Sequence, residues 1–276
     1  MPKLAYNSHK WFFSTLWLFA LPLSGVLAAP SALEDLKDPK EKGLAIAKKM
    51  DHLDTGWQDQ QANMLMVLKN RQGETSTRSI RIRTLEVTGD GDKSFTLFDT
   101  PKDVRGTAFL SHTHPIKPDD QWLYMPSLKR TKRISSTNKS GPFMGSEFAY
   151  EDLSSQEIEK YTYKWLRDET LNGDDTFVIE RLPAYEHSGY KRQIVWVDKK
   201  IYQARKIKFF DRKNAPLKIL TFHDYKKYLA RYWRPDRMEM VNEQTGKSTT
   251  LTWKKYRFKK GLKDSDFDKS VLERGW

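Results

Sequence analysis

The chain contains no cysteine. That absence excludes a disulfide framework, a thiolate metal site, a cysteine nucleophile and a lipid-modified cysteine. Overall apolarity is also low, with a mean hydropathy of −0.76, which excludes a helical membrane protein with several spans. No glycine-rich phosphate loop is present, and no carboxylate pair has the spacing of a known acid–base mechanism. No linker, repeat or low-complexity stretch interrupts residues 29–276. Acids are outnumbered: 36 Asp+Glu stand against 49 Lys+Arg, a net charge of +13. Such a balance points to an anionic partner, whether nucleic acid, a membrane surface or an acidic lipid.

Hydrophobic residues still make up 38% of the 276 residues, too many for a disordered chain. The N-terminus has the layout of a secretory signal. Lys3, His9 and Lys10 precede an apolar run from Trp11 to Leu27, and Val26, Leu27 and Ala28 form a small-residue cleavage site. The expected cut follows Ala28, with Ala29 the alternative. The run is short for a membrane span and contains Pro22. Cleavage removes Lys3 and Lys10 and no acid, taking +13 to +11. Export makes nucleic acid an unlikely partner. With no cysteine at the cleavage site, the expected product is a free periplasmic protein of a Gram-negative bacterium.

Residues 31–54 read as helical, with Leu33, Leu36, Leu44, Ile46, Ala47 and Met50 at helical spacing, Pro39 opening the main helix and Gly56 ending it. Alternation of period two dominates the rest, from Ala62, Met64, Met66 and Leu68 through to Thr249–Phe258. Turns fall at Asn70–Gly73, Gly89–Gly91, Asn172–Asp174, Arg212–Asn214 and Thr245–Gly246. The expectation is one mainly β domain over 29–276, with ten or eleven strands at hairpin spacing in an antiparallel sheet. The apolar face of that sheet needs a cover, and the N-terminal helix and residues 143–153 are the available segments. The rival geometry is an outer-membrane barrel. Trp276 fits it, but the row Arg274, Leu272 and Ser270 is not lipid-facing.

Chemistry-bearing candidates are few. His112 and His114, two apart on a strand, would share a face and could hold a metal with Asp119 or Asp120. His52, His187 and His223 stand singly. Ser146 lacks the second glycine and the preceding strand of a nucleophile elbow. Lys129, Arg130, Lys132 and Arg133 form a basic cluster suited to an anionic head group or an acidic partner, or to guarding a strand edge. The most distinctive stretch is Gly141–Leu153, where two glycines permit tight turns among Phe143, Met144, Phe148 and Tyr150.

At this stretch the sequence resembles the outer-membrane lipoprotein-sorting protein family, the LolA-like periplasmic carriers encoded beside RND-type (MMPL-like) exporters. The matching residues are Trp122-Leu123-Tyr124-Met125-Pro126, Lys129–Ser135, and Phe143-Met144-Gly145-Ser146-Glu147-Phe148 followed by Tyr150-Glu151-Asp152-Leu153. Glu147 stands where the family pattern has Asp. The stretch from Lys218 onward, with Trp233-Arg234-Pro235, Met238–Met240, Thr245-Gly246 and Thr249–Trp253, extends the likeness over most of the chain. The resemblance implies a strongly curved, unclosed half-barrel with helices across its concave face. It implies a non-enzymatic carrier without cofactor or metal, holding the acyl chains of a lipoprotein or lipid, served by an inner-membrane exporter and an outer-membrane acceptor. Expected cavity residues are Met64, Met66, Ile80, Ile82, Trp122, Tyr124, Phe143, Met144, Phe148 and Tyr150. The alternatives are a metal-dependent enzyme centred on His112 and His114, and a periplasmic sensor or scaffold binding a partner through the basic cluster.

Overall fold

Alternating side chains commit most of the chain to strands, and short polar turns fold those strands back on themselves. The computed structural model describes residues 33–274; the expected leader, residues 1–28, and Trp276 lie outside the described residues. Helix α1 (Pro39–Leu53) precedes β1 (Asp59–Lys69), β2 (Thr75–Leu85), β3 (Lys93–Thr100), β4 (Ala108–His112), β5 (Asp120–Met125) and β6 (Arg130–Ile134). Then come β7 (Tyr161–Leu171), β8 (Asp174–Pro183), β9 (Tyr190–Asp198), β10 (Ala204–Asp211), β11 (Pro216–Tyr228), β12 (Tyr232–Asn242), β13 (Ser248–Phe258) and a one-turn helix α2 (Val271–Arg274).

All thirteen strands form one antiparallel sheet in the order β6-β5-β4-β3-β2-β1-β13-β12-β11-β10-β9-β8-β7. Two meanders, β1–β6 and β7–β13, meet where β1 pairs with β13, so that Met64 lies opposite Trp253 and Met66 opposite Leu251. The sheet does not close: β6 and β7 are its two edges. That corrects the barrel alternative, which requires every edge to be paired. The strand count exceeds the expected ten or eleven. The basic β6, with Arg130, Lys132 and Arg133 exposed, has no apolar alternation to announce it.

Asp38 caps α1, its side chain accepting from the Lys40 N–H at 2.8 Å, and Pro39 follows in the first turn. The helix lies on β7. A Cβ added at Gly43 would come within 2.6–2.8 Å of backbone atoms of Lys164 and Trp165, so glycine sets the helix-to-strand distance. Ile46 is fully buried beneath it.

The concave face holds the main core, which includes Met64, Met66, Ile80, Phe98, Phe109, Leu123, Ile179, Leu220, Met240 and Leu251. The convex face is apolar in two regions. Phe95, Leu97, Ala108, Leu110 and Trp122 pack under Phe267 and Leu272 of the C-terminal segment. Val178, Ile194, Trp196 and Phe210 form a second patch. The Lys206 ammonium lies 3.7 Å from the Trp196 ring and the Arg192 guanidinium 3.6 Å from that of Phe210, so cationic groups stacked on the rings cover this patch.

Candidate functional site: a strap across the concave face

The connection from β6 to β7, residues 135–160, runs between the two free edges of the sheet and crosses its concave side. It is built of short 3₁₀ turns, at Ser136–Asn138, Phe143–Gly145, Tyr150–Leu153 and Ile158–Lys160. Its centre is a tight loop in which the Phe143 N–H donates to the Phe148 carbonyl at 2.7 Å. Met144 and Gly145 both take positive φ, 50° and 76°, and glycine relieves the second of these positions. Ser146 is buried and donates its hydroxyl to the Phe143 carbonyl at 2.7 Å, so it braces the loop.

This loop drives aromatic rings into the sheet. The Phe143 ring lies 5.8 Å from Phe98, 5.2 Å from Phe109 and 5.6 Å from Tyr150. Phe143 is 1% exposed. Burial raises the Tyr150 hydroxyl above its usual range. Of the expected cavity residues, Met64, Met66, Ile80, Phe143 and Phe148 are buried together in this core, and Ile82, Met144 and Tyr150 pack against it. Trp122 and Tyr124 are not brought there: they face the C-terminal segment on the opposite side, and the concave residue of β5 is Leu123.

Polar side chains fasten the strap. Lys218 and Asp152 form a buried ion pair at 2.7 Å, their side chains 5% and 8% exposed. The ammonium also donates to the Glu147 carbonyl at 2.8 Å and lies 5.1 Å and 5.2 Å from the rings of Tyr190 and Phe209. The Tyr190 hydroxyl donates to Asp152 at 2.8 Å, and burial together with that carboxylate pushes its own pKa well up. Glu147 accepts from the Asn242 amide at 2.7 Å, and its N–H donates to the Thr249 hydroxyl at 3.0 Å. On the other wing, the Arg78 guanidinium donates to the Met144 carbonyl at 2.5 Å. Glu151 accepts from the Tyr185 and Ser188 hydroxyls and the Gly189 N–H, while burial and the neighbouring Asp152 hold its pKa up.

Beside the strap, a cleft of about 430 Å³ with mixed polar and apolar walls is lined by residues including Ile116, Asp119, Lys139, Glu151, Lys160 and Tyr185. Lys160 reaches Asp119 across it at 2.7 Å, tying the start of β7 to the β4–β5 turn.

The pattern of alternation missed Phe98, Phe109 and Leu123, and it missed the fastening groups Arg78, Tyr190 and Lys218. Lys218 had a legible signal: it shares the inward parity of Leu220 and Phe222. In the basic cluster, Arg133 pairs with Asp120, whereas Lys129, Arg130 and Lys132 have no ion-pair partner among the described residues. The strand that was to align His112 with His114 ends at His112. His112 Nε2 meets the Phe267 carbonyl at 2.8 Å, and burial lowers its pKa. His114 Nδ1 instead meets Asp90 at 2.9 Å. Among the described residues, no group of three or more His, Asp or Glu side chains is arranged to hold a metal ion.

Comparison with known proteins is consistent with this architecture. A family profile described as an uncharacterized protein matches residues 90–274. A protein from Vibrio parahaemolyticus, described as an outer membrane lipoprotein-sorting protein domain, is 59% identical; the match covers 85% of this chain and 100% of that one, with a TM-score of 0.84. A DUF1329 family protein from Desulfovibrio piger is 30% identical over 85% of this chain and 99% of its own, with a TM-score of 0.81. A LolA superfamily protein from Nitrosomonas europaea, 21% identical with a TM-score of 0.67 over 83% of this chain and 98% of its own, shares the fold. No curated protein sequence matches. The open curved sheet, its strap and these relatives together place the chain in the DUF1329, outer membrane lipoprotein-sorting family, with a LolA-like fold.

Proposed function

We propose that the protein is a periplasmic, non-enzymatic carrier that takes acyl chains of a lipoprotein or lipid between the sheet and the strap. The observation that carries this reading is the contrast between the two sides of the strap. Its inner side is apolar and aromatic, while a small set of polar contacts fastens it to the sheet. Displacing Phe143 and Phe148 would exchange one set of apolar contacts for another, which suits reversible loading. Met64, Met66, Met144 and Met240 add unbranched, polarisable contacts that adapt to chains of varied shape. Each methylene buried contributes about 0.8 kcal/mol, so one long acyl chain gains roughly 10 kcal/mol before the cost of ordering. The cleft beside Glu151, where Lys139 and Lys160 stand among Ile116, Pro118 and Tyr185, suits the head of such a cargo.

Such a carrier would be exported through a leader over residues 1–28 and leave a single working domain from residue 29. It would receive cargo from an inner-membrane exporter of the RND or MMPL type and deliver it towards the outer membrane. Lys129, Arg130 and Lys132, exposed and without ion partners among the described residues, are the contact offered to such a partner or to an anionic head group. Native mass spectrometry of protein purified from the periplasm, followed by lipid extraction, tests the reading. Bound lipid, or uptake of a fluorescent fatty acid, is expected; consistent absence of both sinks it.

A further inference from the structure

The turn joining β11 to β12 breaks two rules at one residue. It is closed by the Arg231 N–H donating to the Tyr228 carbonyl at 2.9 Å, and both central residues take positive φ, Leu229 at 48° and Ala230 at 57°. Asparagine and glycine are the residues that accept this backbone without strain. Here a leucine occupies it and is 50% exposed to water. Neither folding nor solubility accounts for that choice.

The surroundings of Leu229 are graded. Behind it, the rings of Tyr228, Tyr256 and Phe258 meet at 5.1–6.1 Å. Around them stand Lys227, Arg231, Lys254, Lys255 and Arg257, all exposed and none in an ion pair among the described residues. The nearby acids Asp224 and Asp236 are engaged by Arg237 and Lys226. Backbone pairing to the neighbouring β13 stops short of this hairpin end, where side chains make the contact. The β12–β13 register runs from Val241–Ser248 only to Arg237–Thr252, while β11 and β12 stay paired down to Tyr228–Tyr232.

From the tip back, an apolar residue, an aromatic layer and a cationic collar match the layers of a bilayer read from its centre outwards: apolar interior, interface, anionic surface. A folded acidic partner would supply the charge complement but gives no reason for a leucine at the extreme of the turn. We propose that this corner docks onto a bilayer surface bearing anionic lipid, with Leu229 entering the head-group layer. The inference is independent of whether an acyl chain binds beneath the strap.

The absence of cysteine makes the test direct, since Leu229→Cys creates the only thiol for an environment-sensitive dye. The purified protein is mixed with phosphatidylcholine vesicles, with or without about one third phosphatidylglycerol. The dye is expected to shift to the blue only with phosphatidylglycerol, and the shift to fade as salt is added. Lys227→Glu with Lys254→Glu should weaken vesicle binding about 25-fold, at roughly five-fold per cation. The same reversal at Lys213 and Lys247, in turns at the other end of these strands, should leave it unchanged. Leu229→Asn with Ala230→Gly should melt higher than the parent yet bind vesicles roughly ten-fold more weakly. Absence of a phosphatidylglycerol-dependent shift, an equal loss in the Lys213/Lys247 variant, or undiminished binding by the Asn-Gly variant overturns the proposal.

Discussion

Replacing Asp152 with alanine probes the fastening of the strap. The change leaves the Lys218 ammonium buried, with only the Glu147 carbonyl and two ring faces as partners. Removing one member of a buried pair costs about 3–5 kcal/mol, because the remaining charge is uncompensated. The Tyr190 hydroxyl and the Ala149 N–H lose their acceptor as well, at about 1 kcal/mol each. For a sheet of this size, 1 kcal/mol moves the melting temperature by about 2–4 °C, so the combined loss of about 5–7 kcal/mol lowers it by roughly 10–28 °C. The double variant Asp152→Asn, Lys218→Met removes both charges and keeps similar volumes, so it should recover much of the loss. Urea unfolding of the parent, Asp152→Asn, Lys218→Met and the double variant yields the coupling free energy. An Asp152→Ala loss below about 1 kcal/mol, or a double variant as unstable as the sum of the singles, refutes a pair held in a dry site.

Further outcomes follow from other contacts. Gly43→Ala should destabilise by about 1–3 kcal/mol in thermal melts, although alanine is the better helix former, because its Cβ meets β7 backbone; a stabilised variant would show that α1 does not sit where described. Phe143→Ala should cost about 3–5 kcal/mol by denaturant unfolding and leave a void between strap and sheet. Burial pushes the Asp92 carboxyl up to about 7, above its unfolded value of 3.8. The raised folded pKa means that its contribution to stability is full below pH 4 and is lost as pH rises through 7. Asp92→Asn should therefore raise the melting temperature at pH 8 relative to the parent, with little gain at pH 4; equal gains at both would remove Asp92 as the titrating group.

Much of the fold was legible because its causes are local. Alternation marks a strand wherever one face is wet, as in β1, where Met64 and Met66 face inward beside exposed Asn63. Turn residues placed the hairpins, and the cluster of aromatics between two glycines picked out the strap. The faces of β3–β5 were not legible. There the concave core takes Phe98, Phe109 and Leu123 while the C-terminal segment covers Phe95, Leu110 and Trp122, so both parities are apolar. A period of two says that neighbours differ in face, and it cannot say which face lies inside when both are buried.

The amino-acid sequence by itself determined a cysteine-free, cationic chain of antiparallel strands with one apolar connection long enough to cross them. Only the tertiary structure decided that β6 and β7 stay apart and that Asp152 and Lys218, 66 residues apart, meet under the strap. It also decided that His112 and His114 take different partners. The reason is range. Propensity and alternation act over a few residues, whereas curvature, edge placement and buried pairing depend on how thirteen strands pack against residues that arrive from elsewhere in the chain.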